Sequence, residues 1–261
     1  MLALASCRDG ASDESASGIA ARRVLEAHGS AGAKAVLEAR KGIPSLHAFD
    51  ELLRAAVKDG RIDFEVVAAK RAVLDETVAA IARVDFEALD AVARAALLVN
   101  VFHATVLRRV VERLVVERLD GRAHADVLVA DEAFFDEPCV EVFGKRSSLQ
   151  DLVDRARSFG DPRLHFALYR AARSSPALQP RVFTAEKLEQ DLDAATQGFL
   201  RDARGLCVTD RRVFVSSLIG RYAQDFGGEE GIKNFLRLHA AAPVKEYLDA
   251  KLGYLDYDGR L

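Results

Sequence analysis

Tryptophan is absent from the 261 residues, methionine occurs once, proline six times, and cysteine only at Cys7, Cys139 and Cys207. No Cys-x-x-Cys pair and no Cys/His cluster occurs, so a structural zinc site lacks ligands and a disulfide framework lacks partners. Neither metal nor cofactor is expected. A dominant charge is missing too: 37 Lys plus Arg against 40 Asp plus Glu give −3, which draws the chain neither to nucleic-acid phosphates nor to anionic lipid. No nucleic-acid partner is therefore expected. There is no Pro- or Gly-rich internal linker either, which favours one domain over two. What is present is half hydrophobic and 30% charged, enough for one sizeable core. The expected fold class is α+β, mainly α-helical, with residues 19–261 forming a single compact domain with a few short strands.

Residues 1–18 read as a flexible leader, because Arg8 to Gly18 is rich in Ser, Asp, Ala and Gly and has almost nothing to bury. Within it, Leu4-Ala5-Ser6-Cys7 is similar to the small-residue box before the lipid-modified cysteine of bacterial lipoproteins. Only Met1, Leu2 and Ala3 precede the box, whereas a secretory signal has a cationic start and an apolar run of roughly 7–15 residues. Two readings stand: a tether behind a lipidated Cys7 in the cell envelope, periplasmic or on the outer surface, or the frayed end of a cytoplasmic protein. Any membrane contact is expected only through that lipid. The stretch Ala95–Leu107 is almost uncharged but bounded by Arg94 and Arg108. It falls short of the roughly 20 apolar residues of a span, which predicts a buried helix.

Helical periodicity dominates the first half. Leu46, Phe49, Leu52, Leu53, Ala56 and Val57 recur at three- and four-residue spacing before Lys58-Asp59-Gly60, predicting an amphipathic helix with a stop. A second helix is predicted from about Phe64 to Ala82, and a third, capped by Asp85, runs on through Val99 to Leu119. Between Pro138 and Gly144 the alternation predicts a short strand, and Ser148 with Asp151 forms a capping box for a helix to about Ser158. Leu164 to Tyr169 fits a strand or a helix equally well. Thr184 opens a long helix, Leu206–Val208 and Arg212–Val215 flank a hairpin turn, and helices follow at about Ser217–Phe226 and Gly231–His239. Gly227, Gly228 and Gly231 follow a helix where a dinucleotide fingerprint needs a strand, so a helix cap is expected. Cys139 and Cys207 could pair, or stand as two separate buried thiols.

The six histidines are scattered. His165 stands apart, lying in an apolar run beside Arg163, with Arg155, Arg157, Arg170 and Arg173 close in sequence. From Arg155 to Arg173 five Arg and one Asp give a formal +4. Converging guanidinium groups would hold a carboxylate or phosphate by paired hydrogen bonds; dispersed ones would simply be solvated at the surface.

Several motifs, in order, carry a resemblance: Val57-Lys58-Asp59-Gly60-Arg61-Ile62-Asp63-Phe64, Leu97-Leu98-Val99-Asn100-Val101-Phe102-His103-Ala104, Asp161-Pro162-Arg163-Leu164-His165-Phe166-Ala167-Leu168, Ser174-Ser175-Pro176, Tyr222-Ala223-Gln224-Asp225-Phe226-Gly227 and Tyr254-Leu255-Asp256-Tyr257-Asp258. From about Leu46 to Asp258 the chain resembles the bacterial and plant family known as domain of unknown function 547, whose members often look secreted or lipid-anchored. The chain departs from the family pattern where chemistry would sit. Val153-Asp154 replaces a Glu-His pair, Arg170 and Ser175 replace two cysteines, His103 replaces an Asn, and Arg221 replaces a Trp. A family site of Glu, His and Cys would suit thiol chemistry, in which a histidine lowers the thiolate pKa. This chain lacks those groups.

The expectation is therefore a catalytically degenerate family member, an envelope-anchored binding or structural protein. Arg163, Arg170, Arg173, His103, Tyr222 and Asp225 are the candidate residues for a small anionic ligand or an envelope partner. The alternative is a hydrolase or transferase with His165 as base, Ser174 or Ser175 as nucleophile, and Asn100 or Arg163 orienting groups or stabilising an anion. A third expectation makes Asn100, Arg163, His165, Tyr222 and Asp225 a buried polar network that fixes helix packing.

Overall fold

Four buried side chains, Phe49, Leu52, Leu53 and Ala56, line one face of the first helix, α1 (His47–Ala56). Burying each of the three larger ones contributes roughly 1.5–3 kcal/mol. In this computed structural model, which describes residues 42–58, 60–119 and 131–261, the chain reverses after α1 through the strands β1 (Val57–Lys58) and β2 (Arg61–Ile62). Gly60 sits there at φ 71°, in the left-handed region. The expected stop is thus the turn of a hairpin. The helix expected from Phe64 to Ala82 is broken at Lys70 into α2 (Phe64–Ala69) and α3 (Arg71–Ala82).

Asp85 caps a single 3-10 turn, Phe86–Ala88, rather than the long helix. Asp90 takes the capping role instead, its carboxylate accepting from Ala93 N at 2.8 Å at the start of α4 (Ala91–Leu119). The segment Ala91–Val115 is long and apolar enough to cross a membrane by length and composition, yet 83% of its apolar window is buried inside the protein. Most of its apolar surface is met by neighbouring elements, as in a core helix, while Val115 near its end is exposed. Asn100 and His103, the polar interruptions, are 0% and 1% exposed.

Asp131 caps α5 (Glu132–Asp136). The expected strand is β3 (Val140–Val142), paired antiparallel with β4 (Lys145–Ser147) around Phe143 and Gly144, both at positive φ. The predicted capping box is present: Asp151 N donates to Ser148 Oγ and Ser148 N to the Asp151 carboxylate, opening α6 (Leu149–Arg157). The ambiguous run resolves into one helical turn, α7 (Leu164–Ala167), and extended chain beyond it. Next come α8 (Leu188–Arg201) and the hairpin β5 (Leu206–Thr209) and β6 (Arg212–Ser216). The chain continues through α9 (Ser217–Arg221), a 3-10 turn Ala223–Phe226 and α10 (Gly228–His239). Gly227 at φ 89° makes the expected cap. After α11 (Ala242–Lys245), β7 (Gly253–Leu255) joins β6 in parallel, completing a three-stranded sheet β5-β6-β7.

The class is α+β, mainly helical, in a single compact domain. Its apolar interior has two clusters, one around α1, α3, α4 and α6 and another joining α8, the three-stranded sheet and α10. The single turn α7 lies at their seam: Leu164 and Ala167 belong to the first cluster and Phe166 to the second. Cys139 and Cys207 are both free and half-buried, so the thiols stand separately. Residues 1–41, including Cys7, lie outside the described residues.

Candidate functional site

The seam at α7 fixes the site. His165, 5% exposed, stacks on the Tyr222 ring with centroids 4.3 Å apart and planes at 21°. Its Nε2 lies 2.8 Å from an Asp225 carboxylate oxygen. Arg157 holds the same carboxylate with two hydrogen bonds, Nε at 2.7 Å and Nη2 at 2.9 Å. That pairing with Arg157, then the bond to His165, keeps the Asp225 carboxyl below its usual range and therefore ionised. An ionised acceptor requires the proton on Nε2, leaving the Nδ1 lone pair without a hydrogen-bond partner. Burial lowers the His165 pKa to about 4, outweighing the opposite pull of Asp225. At neutral pH the ring is uncharged, and it is a weak base by the standard of groups poised near the working pH.

Tyr222 joins this pair to a cavity. Its hydroxyl accepts from Arg170 Nη2 at 3.0 Å, and the Arg170 guanidinium lies 5.3 Å from the ring centroids of both Tyr222 and Phe135. Arg170 is 4% exposed, its Nε is buried without a hydrogen-bond partner, and among the described residues no carboxylate pairs with it. The cavity it lines has a volume of about 650 Å3, with Phe135, Gln150, Ser217, Leu218, Arg221 and Tyr257 among its other walls. Its polar atoms include Ser217 Oγ, likewise buried and without a partner.

The other candidates are placed elsewhere. Arg163 is enclosed by Asp161, Glu189 and Asp193, at 2.6, 2.9 and 2.8 Å. Asn100 clamps the backbone of Phe183, donating to its carbonyl at 2.7 Å and accepting from its N–H at 2.9 Å. His103 Nε2 lies 2.9 Å from the Ala167 carbonyl and, more loosely, 3.3 Å from Tyr169 N. The shorter contact and a pKa lowered by burial to about 4 define a neutral ring donating to Ala167. Ser175, fully buried, accepts from Arg170 N at 2.7 Å and donates to the Pro176 carbonyl at 3.0 Å. Ser174 Oγ accepts from Asp258 N at 2.8 Å, and Ser174 N donates to Asp258 O. Arg173 extends this latch, its backbone N–H donating to Arg260 O and its Nε to Leu261 O. The latch holds the last residues of the chain and sets Tyr257 in the cavity wall.

The structure thus brings together His165, Asp225, Tyr222 and Arg170, and leaves Asn100, His103, Arg163 and Arg173 at separate tasks. Neither serine hydroxyl is hydrogen-bonded to His165. Sequence reasoning missed Gln150, Ser217, Arg221 and Tyr257 as wall residues and Arg157 as the partner of Asp225. One signal was available. Arg170 and Arg221, which the resemblance read from the sequence sets apart as replacements, both line this cavity. Of the replaced Glu-His pair, Val153 is in the core, and Asp154 accepts from Gln150 and Arg157 at 3.1 Å each. Among the described residues no three His, Cys, Asp or Glu side chains come together to hold a metal ion.

No curated protein and no solved structure matches the chain. The family match is shorter than the run of motifs from Leu46 to Asp258, leaving Tyr222, Asp225 and Tyr257 beyond it. Residues 86–200, which carry Asn100, His103, Arg163, His165, Arg170 and Ser175, match the model described as protein of unknown function, DUF547, and over that segment the chain resembles this family.

Proposed function

We propose that this chain is a non-catalytic, envelope-anchored protein whose domain binds a small anionic ligand in the Arg170 cavity. The observation that carries the reading is that two arginines, Arg170 and Arg221, line one cavity, and that the buried one pairs with no carboxylate among the described residues. A guanidinium taken out of water is costly unless something pairs with it. An anion entering the cavity supplies that partner, with charge-assisted hydrogen bonds to the fork. The absence of a thiol at position 170, and the commitment of both neighbouring serines to backbone partners, argue against turnover at this place. Anchoring rests on the Leu4-Ala5-Ser6-Cys7 box and its Ser-rich tether.

Titration with benzoate and with inorganic phosphate tests the binding half. At least one is expected to bind wild type and to bind Arg170→Met at least tenfold more weakly, the order of a lost charge-assisted hydrogen bond. Folded wild type that takes up neither anion ends the proposal. For the anchor, the intact mass of the protein made from its own genomic context should show a diacylglyceryl adduct on Cys7, and an unmodified Met1 start removes the envelope assignment.

A second reading is favoured by one contact, the His165–Asp225 pair, which has the form of a base and its orienting acid. In that reading Nδ1 serves as the base of a hydrolase or transferase acting with Ser174 or Ser175. A fluorophosphonate probe of activated serines decides it: labelling of wild type at either serine, lost in His165→Asn, establishes the enzyme, and absence of labelling removes it.

A further inference from the structure

The Arg170 cavity carries charge of both signs: Arg170 is buried, and Asp136 and Arg221 are exposed. Two of its lining groups are buried: the Arg170 guanidinium, 4% exposed and without an acid partner among the described residues, and Ser217 Oγ, which has no hydrogen-bond partner. Together they offer N–H and O–H donors to one carboxylate or phosphate group. Two acids also line the cavity, Asp131 and Asp136. Asp131 is committed, accepting from Arg113 Nη2 and from Phe134 N at 2.7 Å each. Asp136, exposed at the end of α5, pairs with no cation among the described residues and is the acid left to meet a ligand. The remaining walls are Phe135, Leu218, Tyr222 and Tyr257, with the Gln150 carboxamide and the exposed Arg221.

We infer that the ligand is zwitterionic, a short peptide whose free α-carboxylate meets Arg170 and Ser217 and whose free α-ammonium group meets Asp136. The inference rests on the anion-binding reading above and adds the ligand's chemical class. A cavity of about 650 Å3 lies within the roughly 300–1,000 Å3 of sites for drug-sized ligands. An inorganic anion would leave most of it unfilled and its aromatic walls unused. A fatty acid would fill the walls but leave Asp136 and the Gln150 amide facing hydrocarbon, at a desolvation cost. A peptide gives Arg170, the rings, Gln150 and Asp136 a partner each: carboxylate to the arginine, side chains to the rings, peptide bond to the carboxamide, ammonium to the acid.

Calorimetric titration of the full chain with Ala-Phe-Ala, its N-acetyl form and its C-terminal amide tests this. Wild type is expected to bind the free peptide about threefold more tightly than the acetylated one, as for an exposed ion pair, and at least tenfold more tightly than the amide. Asp136→Asn, a change at an exposed position, should bind free and acetylated peptide alike. Equal binding of the free and acetylated peptides by wild type overturns the inference. So does failure of all three peptides while benzoate or phosphate binds through Arg170; either result leaves the anion-binding reading standing. If benzoate and phosphate fail as well, that reading falls too.

Discussion

Arg163 and Arg170 lie seven residues apart on either side of α7, both are largely withdrawn from water, and the chain treats them in opposite ways. Arg163 is met by three carboxylates, and one of them, Asp161, is itself buried and also accepts from Arg163 N at 2.9 Å. Among the described residues, the Arg170 guanidinium meets the Tyr222 hydroxyl and the rings of Tyr222 and Phe135, and no carboxylate. A guanidinium saturated by acids inside the fold has nothing left to offer a ligand; one that no carboxylate pairs with, beside a cavity, does. The contrast teaches that proximity in an Arg-rich stretch says little about role, and that the inventory of partners says most of it.

The largest effect that would sharpen this contrast is expected at Arg163. Arg163→Met leaves the buried Asp161 carboxylate without its partner, and chemical denaturation should show a loss of about 3–5 kcal/mol. Anion binding by the protein that remains folded should be unchanged, and a stable variant with impaired binding would place Arg163 in the site after all. Arg170→Met should do the reverse, with stability unchanged or raised because an unpaired buried charge is removed, and binding lost.

Asn100→Leu should cost about 2–4 kcal/mol, since Phe183 would keep an unpaired N–H and carbonyl in the core. Smaller again is an acid-dependent loss from the two buried imidazoles. Their folded pKa values near 4 lie below the usual 6.5, so between those pH values the unfolded chain binds more protons and stability falls as pH falls. His103→Asn should flatten the dependence of unfolding free energy on pH over that window by roughly 1–3 kcal/mol; an unaltered slope would mean that His103 is not held neutral. Asp136→Asn should leave stability within about 0.5 kcal/mol of wild type, so that any change it makes in peptide binding is read directly.

Much of the architecture was legible because it follows from local rules. The face of α1, the Ser148–Asp151 box, the β5–β6 hairpin and the Gly227 cap each depend on spacing or on one residue's backbone preference. The breaks were less visible: Lys70 carries no helix-stopping chemistry, and Asp85 and Asp90 are equally good caps, so only packing decides between them. The site divides in the same way. His165, Tyr222, Asp225 and Arg170 were nominated from sequence, but the tie of Asp225 to Arg157, 68 positions away, and the convergence of Gln150, Ser217, Arg221 and Tyr257 depend on tertiary contacts. Ser174 and Ser175 show the opposite error of scale, since a hydroxyl next to an Arg-rich run invites a chemical role while its hydrogen bonds go to the Asp258 N–H and the Pro176 carbonyl.

The central claim is that Arg170 is left without an acid so that a ligand can supply one. Thermal unfolding of wild type and Arg170→Met, each with and without Ala-Phe-Ala at about ten times its dissociation constant for wild type, tests it in one experiment. The account predicts a rise of about 3 °C for wild type with peptide and of about 1 °C or less for the variant. The same rise in both proteins would contradict it.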